Sequence, residues 1–210
     1  MNWYILPLTL LALYAVFTYF RGMKKNKWVS GFIASETEAI LKPKNTEYVN
    51  IGGAIGYNFT YTLQEPFTTA KGTFALIPRQ SAFYMPVVLI LGGKDRYYLT
   101  IFTSKKLIGE GHIIEARYFN KISKTITGIE KLKQDRIQKG KRTFVLLWDV
   151  PKLEEKLHRV LDEAEEYQLL KHFCVYRDNS NFYIFMEPKR HGIEALLGSV
   201  YKNVSLFWEK

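Results

Sequence analysis

From Trp3 to Phe20 no charged side chain occurs, and the chain as a whole is short of acid: 20 Asp and Glu stand against 30 Lys and Arg, for a formal net charge of +10. Cysteine is nearly missing. Cys174 is the only one, which excludes an intramolecular disulfide and a Cys-based zinc site of the kind built on several cysteines, and fits a reducing compartment. Catalytic signatures are missing too, with no H-E-x-x-H, no G-x-S-x-G, no phosphate loop and no dinucleotide fingerprint. Gly92-Gly93-Lys94-Asp95 joins glycine to lysine but lacks the Ser or Thr, and the helix, that a phosphate loop needs. The histidines are His112, His158, His172 and His191. His158 and His172 fall on one predicted helix, about 20 Å apart and too far to share a metal. Cys174 lies in an apolar stretch and reads as a small core residue. No catalytic residue, cofactor or metal is expected, and the chain reads as a binding protein rather than an enzyme.

What is present begins with the uncharged run itself, WYILPLTLLALYAVFTYF. As a helix it covers most of a hydrocarbon core of about 30 Å. Pro7 sits in its first turns, where a missing N–H does least harm, and Trp3, Tyr4 and Tyr19 stand near its two ends. A cleaved signal peptide would carry a basic leader and a small-residue cleavage site. Here only Asn2 precedes the run and Tyr19-Phe20-Arg21 closes it, so residues 1–20 read as a retained transmembrane anchor. Arg21, Lys24, Lys25 and Lys27 follow directly. By the positive-inside rule they place the N-terminus outside and the remainder in the cytoplasm, as a single-pass membrane protein. Membrane lipids are the first expected partner, because these four charges face anionic headgroups. The sequons Asn58-Phe-Thr60 and Asn203-Val-Ser205 should then be silent.

Residues 21–42 read as a basic juxtamembrane segment and a short helix over 28–42, either continuing from the anchor or leaning against it and ending before Pro43. Residues 43–210 read as one cytoplasmic α+β domain; the whole chain carries 14 Tyr, 14 Phe and 4 Trp, a composition that can fill a core. Tyr48–Gly56, with three glycines, reads as a turn or bulge. Alternation at Tyr57, Phe59, Tyr61 and Leu63 predicts a half-buried strand, and further strands are expected at 73–77, 96–103 and 111–119. The run from Ala82 to Leu91 is apolar throughout and too short to span a bilayer, so it is either buried or dips into the membrane interface. A strand at 143–148, a helix from Pro151 to about His172, a hairpin at 173–186 and a last helix after Pro188 complete a β-α-β-β-α order, half of a ferredoxin-like arrangement.

Between them, residues 121–142 carry Lys121, Lys124, Lys131, Lys133, Arg136, Lys139, Lys141 and Arg142 against Glu130 and Asp135. Ile122, Ile126, Ile129 and Ile137 recur near helical spacing, which predicts a helix with its charges on one face. That face is either plainly solvated or meets a polyanion, rRNA or lipid.

Thr73-Phe-Ala-Leu-Ile-Pro-Arg-Gln followed by Met85-Pro-Val-Val-Leu-Ile-Leu resembles the opening of the cytosolic domain of the calumin-like family, the coiled-coil subunit of the PAT complex of the multipass translocon. Thr143-Phe-Val-Leu-Leu-Trp-Asp-Val-Pro-Lys-Leu, and Met186-Glu-Pro-Lys-Arg-His leading to Val204-Ser-Leu-Phe, are similar to later parts of the same domain. The resemblance covers residues 57–207 and implies a non-enzymatic accessory or chaperone scaffold for membrane-protein insertion, with translocon subunits and the ribosome as partners. This chain departs from the family in carrying almost nothing before the anchor and in stopping at Lys210 without the basic helical tail. Ribosome contact is therefore expected of Lys121–Arg142 alone.

Overall fold

The computed structural model describes residues 3–209. Its first element is one unbroken helix, α1 (Ile5–Leu41), about 55 Å long at 1.5 Å per residue. Of the two expectations for the 28–42 helix, continuing from the anchor or leaning against it, the first holds. The helix runs on because nothing between Arg21 and Lys27 breaks it except Gly22, which helices tolerate at modest cost. The helix changes character midway. Residues 5–21 have almost no buried position, whereas Gly22, Asn26, Val29, Ile33, Glu36, Thr37 and Leu41 recur every three or four residues as a buried stripe. Lys42 then turns left-handed at φ 45°, with its N–H on the Glu38 carbonyl at 2.8 Å, and Pro43 forbids continuation.

Nine strands follow: β1 (Asn45–Asn50), β2 (Gly56–Thr62), β3 (Phe67–Ala75), β4 (Arg96–Thr103), β5 (Gly111–Glu115), β6 (Lys133–Lys139), β7 (Arg142–Trp148), β8 (Leu170–Tyr176) and β9 (Asn181–Met186). They make one sheet, ordered β1-β2-β3-β4-β9-β8-β5-β7-β6, with every pairing antiparallel. The helices are α2 (Tyr84–Ile90), between β3 and β4; α3 (Ala116–Ile122), after β5; α4 (Lys152–Glu163), between β7 and β8; and α5 (Gly192–Asn203), after β9. This is the expected α+β class, and β7-α4-β8-β9-α5 appears in the expected order with β5 inserted between β7 and β8.

The main core lies on one face of the sheet. Val29, Ile33 and Leu41 of α1, Leu153, Leu157 and Val160 of α4 and Ile193, Leu196 and Val200 of α5 cover Phe59, Tyr61, Tyr97, Leu99, Phe144 and Phe182. On the reverse face a smaller cluster joins Ile114, Val145 and Leu147 to Ile126, with Tyr118, Phe119 and Ile122 packed against it. The lower half of α1 is bonded to the domain by polar contacts as well. Buried Glu36 accepts from the N–H of His191 at 2.6 Å and of Glu194 at 3.2 Å, which sets a carboxylate at the positive end of α5. Thr37 Oγ1 meets the Tyr97 hydroxyl at 2.8 Å.

Three expectations need correction. Residues 121–142 are not a helix: α3 ends at Ile122, short 3-10 turns cover 123–125 and 129–131, and the rest is the β6–β7 hairpin turning at Gly140 with φ 55°. The isoleucine spacing has another cause, since Ile122, Ile126 and Ile129 cap the reverse-face core from successive turns. The strand expected at 111–119 stops at Glu115, where α3 begins. The helix expected to reach His172 ends at Glu163. Glu166 takes φ 47°, and His172 lies on β8 instead.

Candidate functional site

Where α1 passes from exposed to docked, it touches the segment that carries α2. Gly22 is pressed so close that a Cβ there would lie 2.1 Å from the Arg79 carbonyl oxygen. Four residues on, the buried Asn26 amide donates to the Ile77 carbonyl at 3.0 Å and to Gln80 Oε1 at 3.3 Å. Its oxygen accepts from Arg79 at 2.9 Å. Arg79 also forms a two-pronged pair with Asp95, at 2.9 and 2.6 Å, the fork geometry that fixes a guanidinium best. Asp95 accepts from the Ile77 N–H in addition, at 2.9 Å. Residues 77–95 are thereby closed into a rigid loop fastened to α1.

That loop holds α2 outward. No residue of α2 is buried, and Phe83, Ile90 and Leu91 are 62, 84 and 81 % exposed. Of the two expectations for the 82–91 run, burial is excluded. In a water-soluble surface so compact an apolar patch marks a membrane or partner contact. Beside it Thr18, Arg21, Gly22, Lys24, Lys25, Trp28, Arg79 and Met85 line an open cleft of about 690 Å³. Above the cleft α1 is bare. Among the described residues it is the one helix long and apolar enough to cross a membrane, and only 6 % of its most apolar window is buried.

The predicted juxtamembrane residues Arg21, Lys24, Lys25 and Lys27 are all exposed at this junction, and Lys25 Nζ lies 3.8 Å from the centre of the Trp28 ring. The eight residues expected to form one basic face do not. Lys121, Lys124, Lys131, Lys133, Arg136 and Lys141 are exposed, but they are strung from the end of α3 through the turns after it and along the edge strand β6. Lys139 is a helix cap: its ammonium donates to the carbonyls of Asp162 and Ala164 at 2.9 and 3.0 Å and also to that of Leu161, at the negative end of α4. Burial lowers its pKa. Arg142 is bonded to buried Glu115 at 2.6 Å, and Glu115 in turn to buried Lys171 at 2.6 Å.

The structure also assembles a group that sequence reasoning kept apart. The register sets His112 of β5 opposite Cys174 of β8, with His172 two residues away on the same face. All three are buried, and one ligand atom from each lies within 4.8 Å of the others. His112 Nδ1 is 3.1 Å from His172 Nε2, and His112 Nε2 is 2.9 Å from Glu110 Oε1. Burial, reinforced by His112, holds His172 well below the usual imidazole range, and burial pushes the Cys174 thiol up. The signal available in the sequence was the His172-x-Cys174 spacing, which shares one face only on a strand. In sequence, His172 reads as the end of a helix and Cys174 as part of the strand that follows it.

Compared with known proteins, the chain matches no family model and no curated protein.

Proposed function

We propose that the chain is a membrane-anchored, non-enzymatic accessory of membrane-protein insertion, its domain lying cytoplasmic beneath the bilayer near translocon and ribosome. The observation that supports this reading is the α1–α2 junction: an apolar helix with no buried residue, fastened beside the point where α1 emerges from its docked half. With α1 spanning, α2 enters the leaflet on the domain's side, and its apolar face and the adjoining cleft are offered to a neighbouring transmembrane segment. Arg21, Lys24, Lys25 and Lys27 meet anionic headgroups at about 1 kcal/mol each and orient the domain to the cytoplasm. The likeness of residues 57–207 to the calumin-like family narrows the partner to the insertion machinery. Lys131, Lys133 and Arg136, exposed on the domain's far edge, are the residues suited to rRNA phosphates.

Crosslinking with mass spectrometry on native membranes, at low and high salt, tests this. Contacts from Lys121–Lys141 to ribosomal or translocon peptides, lost at high salt as phosphate contacts require, together with α2 contacts to apolar segments of other proteins, support it. A second reading, a domain that binds anionic lipid alone, is favoured by the cationic rim of the 690 Å³ cleft. Lipid adducts with no ribosomal or translocon peptide would select that reading and overturn the first.

A further inference from the structure

Cys174 forms no disulfide and lies in no cleft, yet two imidazoles converge on it inside the sheet. We propose that His112, His172 and Cys174 form a buried binding site for one divalent transition-metal cation of the zinc type, with Glu110 orienting His112 from outside the ligand set.

The donor set suits that ion: two imidazole nitrogens and one thiolate leave the fourth tetrahedral position open. The spacing suits it as well. Two nitrogens bound to one zinc at 2.0–2.1 Å stand roughly 3.3 Å apart, and His112 Nδ1 and His172 Nε2 already stand 3.1 Å apart. A Cys174 sulfur no more than 4.8 Å from either nitrogen closes the triangle by a side-chain rotation. Glu110 fixes the chemistry of His112. By accepting the Nε2 proton at 2.9 Å it leaves the Nδ1 lone pair facing the other two ligands, the carboxylate–histidine–metal relation of many zinc sites. Backbone geometry preorganises the rest, since His112 and Cys174 are a directly opposed pair in adjacent strands.

Charge selects a dication over a monovalent ion. The imidazoles are neutral; the thiolate and the Glu110 carboxylate supply two negative charges and cancel M²⁺, which a buried site requires. On binding, the Cys174 S–H bond gives way to a metal–sulfur bond and its proton goes to solvent. The His172 proton moves from Nε2 to Nδ1. No electron changes hands.

The test uses the full chain in detergent micelles, stripped with chelator and titrated with Co²⁺. One equivalent should produce a thiolate-to-cobalt charge-transfer band with four-coordinate ligand-field absorption, both erased by Zn²⁺. Since Cys174 is the only cysteine, that band has one origin. Cys174→Ser should abolish it, and Glu110→Gln should weaken affinity about 10–100-fold. Cobalt bound without the band is adventitious and overturns the proposal, as does no binding by folded wild type. Should Cys174→Ser fail to fold, the band in the wild type decides alone.

Discussion

Gly22 and Gly31 stand on the same helix in opposite circumstances, and replacing each by alanine separates the effect of helix propensity from that of docking. At Gly31 nothing lies within 4 Å of a built Cβ, so Gly31→Ala should stabilise by about 0.5–1 kcal/mol through helix propensity alone. At Gly22 the new carbon would run into the Arg79–Gln80 peptide group, with Arg79 O at 2.1 Å, Arg79 C at 2.2 Å and Gln80 N at 2.3 Å. To restore ordinary contact α1 must retreat from the loop by about 1.3 Å, a typical overpacking displacement costing 1–3 kcal/mol. That retreat stretches the 3.0 Å Asn26–Ile77 and 2.9 Å Arg79–Asn26 hydrogen bonds out of range, at about 1 kcal/mol each. Gly22→Ala should therefore cost roughly 3–5 kcal/mol, about 6–20 °C in Tm for a domain of this size. Thermal unfolding of the full chain in micelles measures the difference. Amide exchange over residues 83–93 should also quicken in Gly22→Ala, because the loop loses its attachment. Equal melting points for Gly22→Ala and Gly31→Ala would refute the close docking of α1 on the 77–95 loop, and with it the placing of α2 beside the apolar half of α1.

Other substitutions bear on other contacts. Glu36→Gln removes the charge at the N-terminus of α5 while keeping one acceptor, and should cost about 1–2 kcal/mol in a denaturant midpoint, with no change in membrane attachment. Lys171, 1 % exposed between Glu115 and Glu187, should cost about 3–5 kcal/mol as Lys171→Met, since a carboxylate loses its buried partner. Lys139→Met should lower stability by about 1 kcal/mol, for the lost cap, and leave heparin or RNA retention unchanged. Arg136→Glu, on an exposed side chain, should do the reverse, and elution salt on a heparin column separates the two.

Where the sequence carried a complete local signal, the fold could be read from it. Arg96–Thr103 is dense in aromatic and β-branched residues and follows Gly92-Gly93, and its strand was located to the residue. The β8–β9 hairpin and α5 were marked by apolar runs and by Pro188. Edge strands were harder. β1 (Asn45–Asn50) is exposed at every position, and β6 (Lys133–Lys139) offers one half-buried apolar residue, Ile137, so neither shows the alternation that betrays a strand. Lysines along β6 suit an edge that must not pair further, and the same charges read in sequence as a helix face. The buried triad was hidden by one local event. Glu163 to Leu170 keeps a helical composition, and only the left-handed turn at Glu166 converts the segment to a strand. With that turn unseen, His172 stood at the far end of the helix of His158, about 20 Å from it, rather than beside His112. The role of α2 was legible as one of two alternatives, because the run is apolar on all sides; which one holds depends on the Arg79–Asp95 clamp, a contact sixteen residues apart.

The most direct test of bilayer contact places an environment-sensitive fluorophore on Ile90→Cys in a Cys174→Ser background, in nanodiscs carrying nitroxide lipids. The same label on Lys106→Cys, an exposed site after β4 at the other end of that strand from α2, is the reference. If α2 lies in the leaflet beside α1, emission at position 90 is blue-shifted, quenched by the lipid nitroxide and shielded from aqueous iodide, while position 106 behaves as in water. Water-like emission at both positions, with iodide quenching both, would contradict a membrane-apposed α2 and leave α1 as the chain's sole contact with the bilayer.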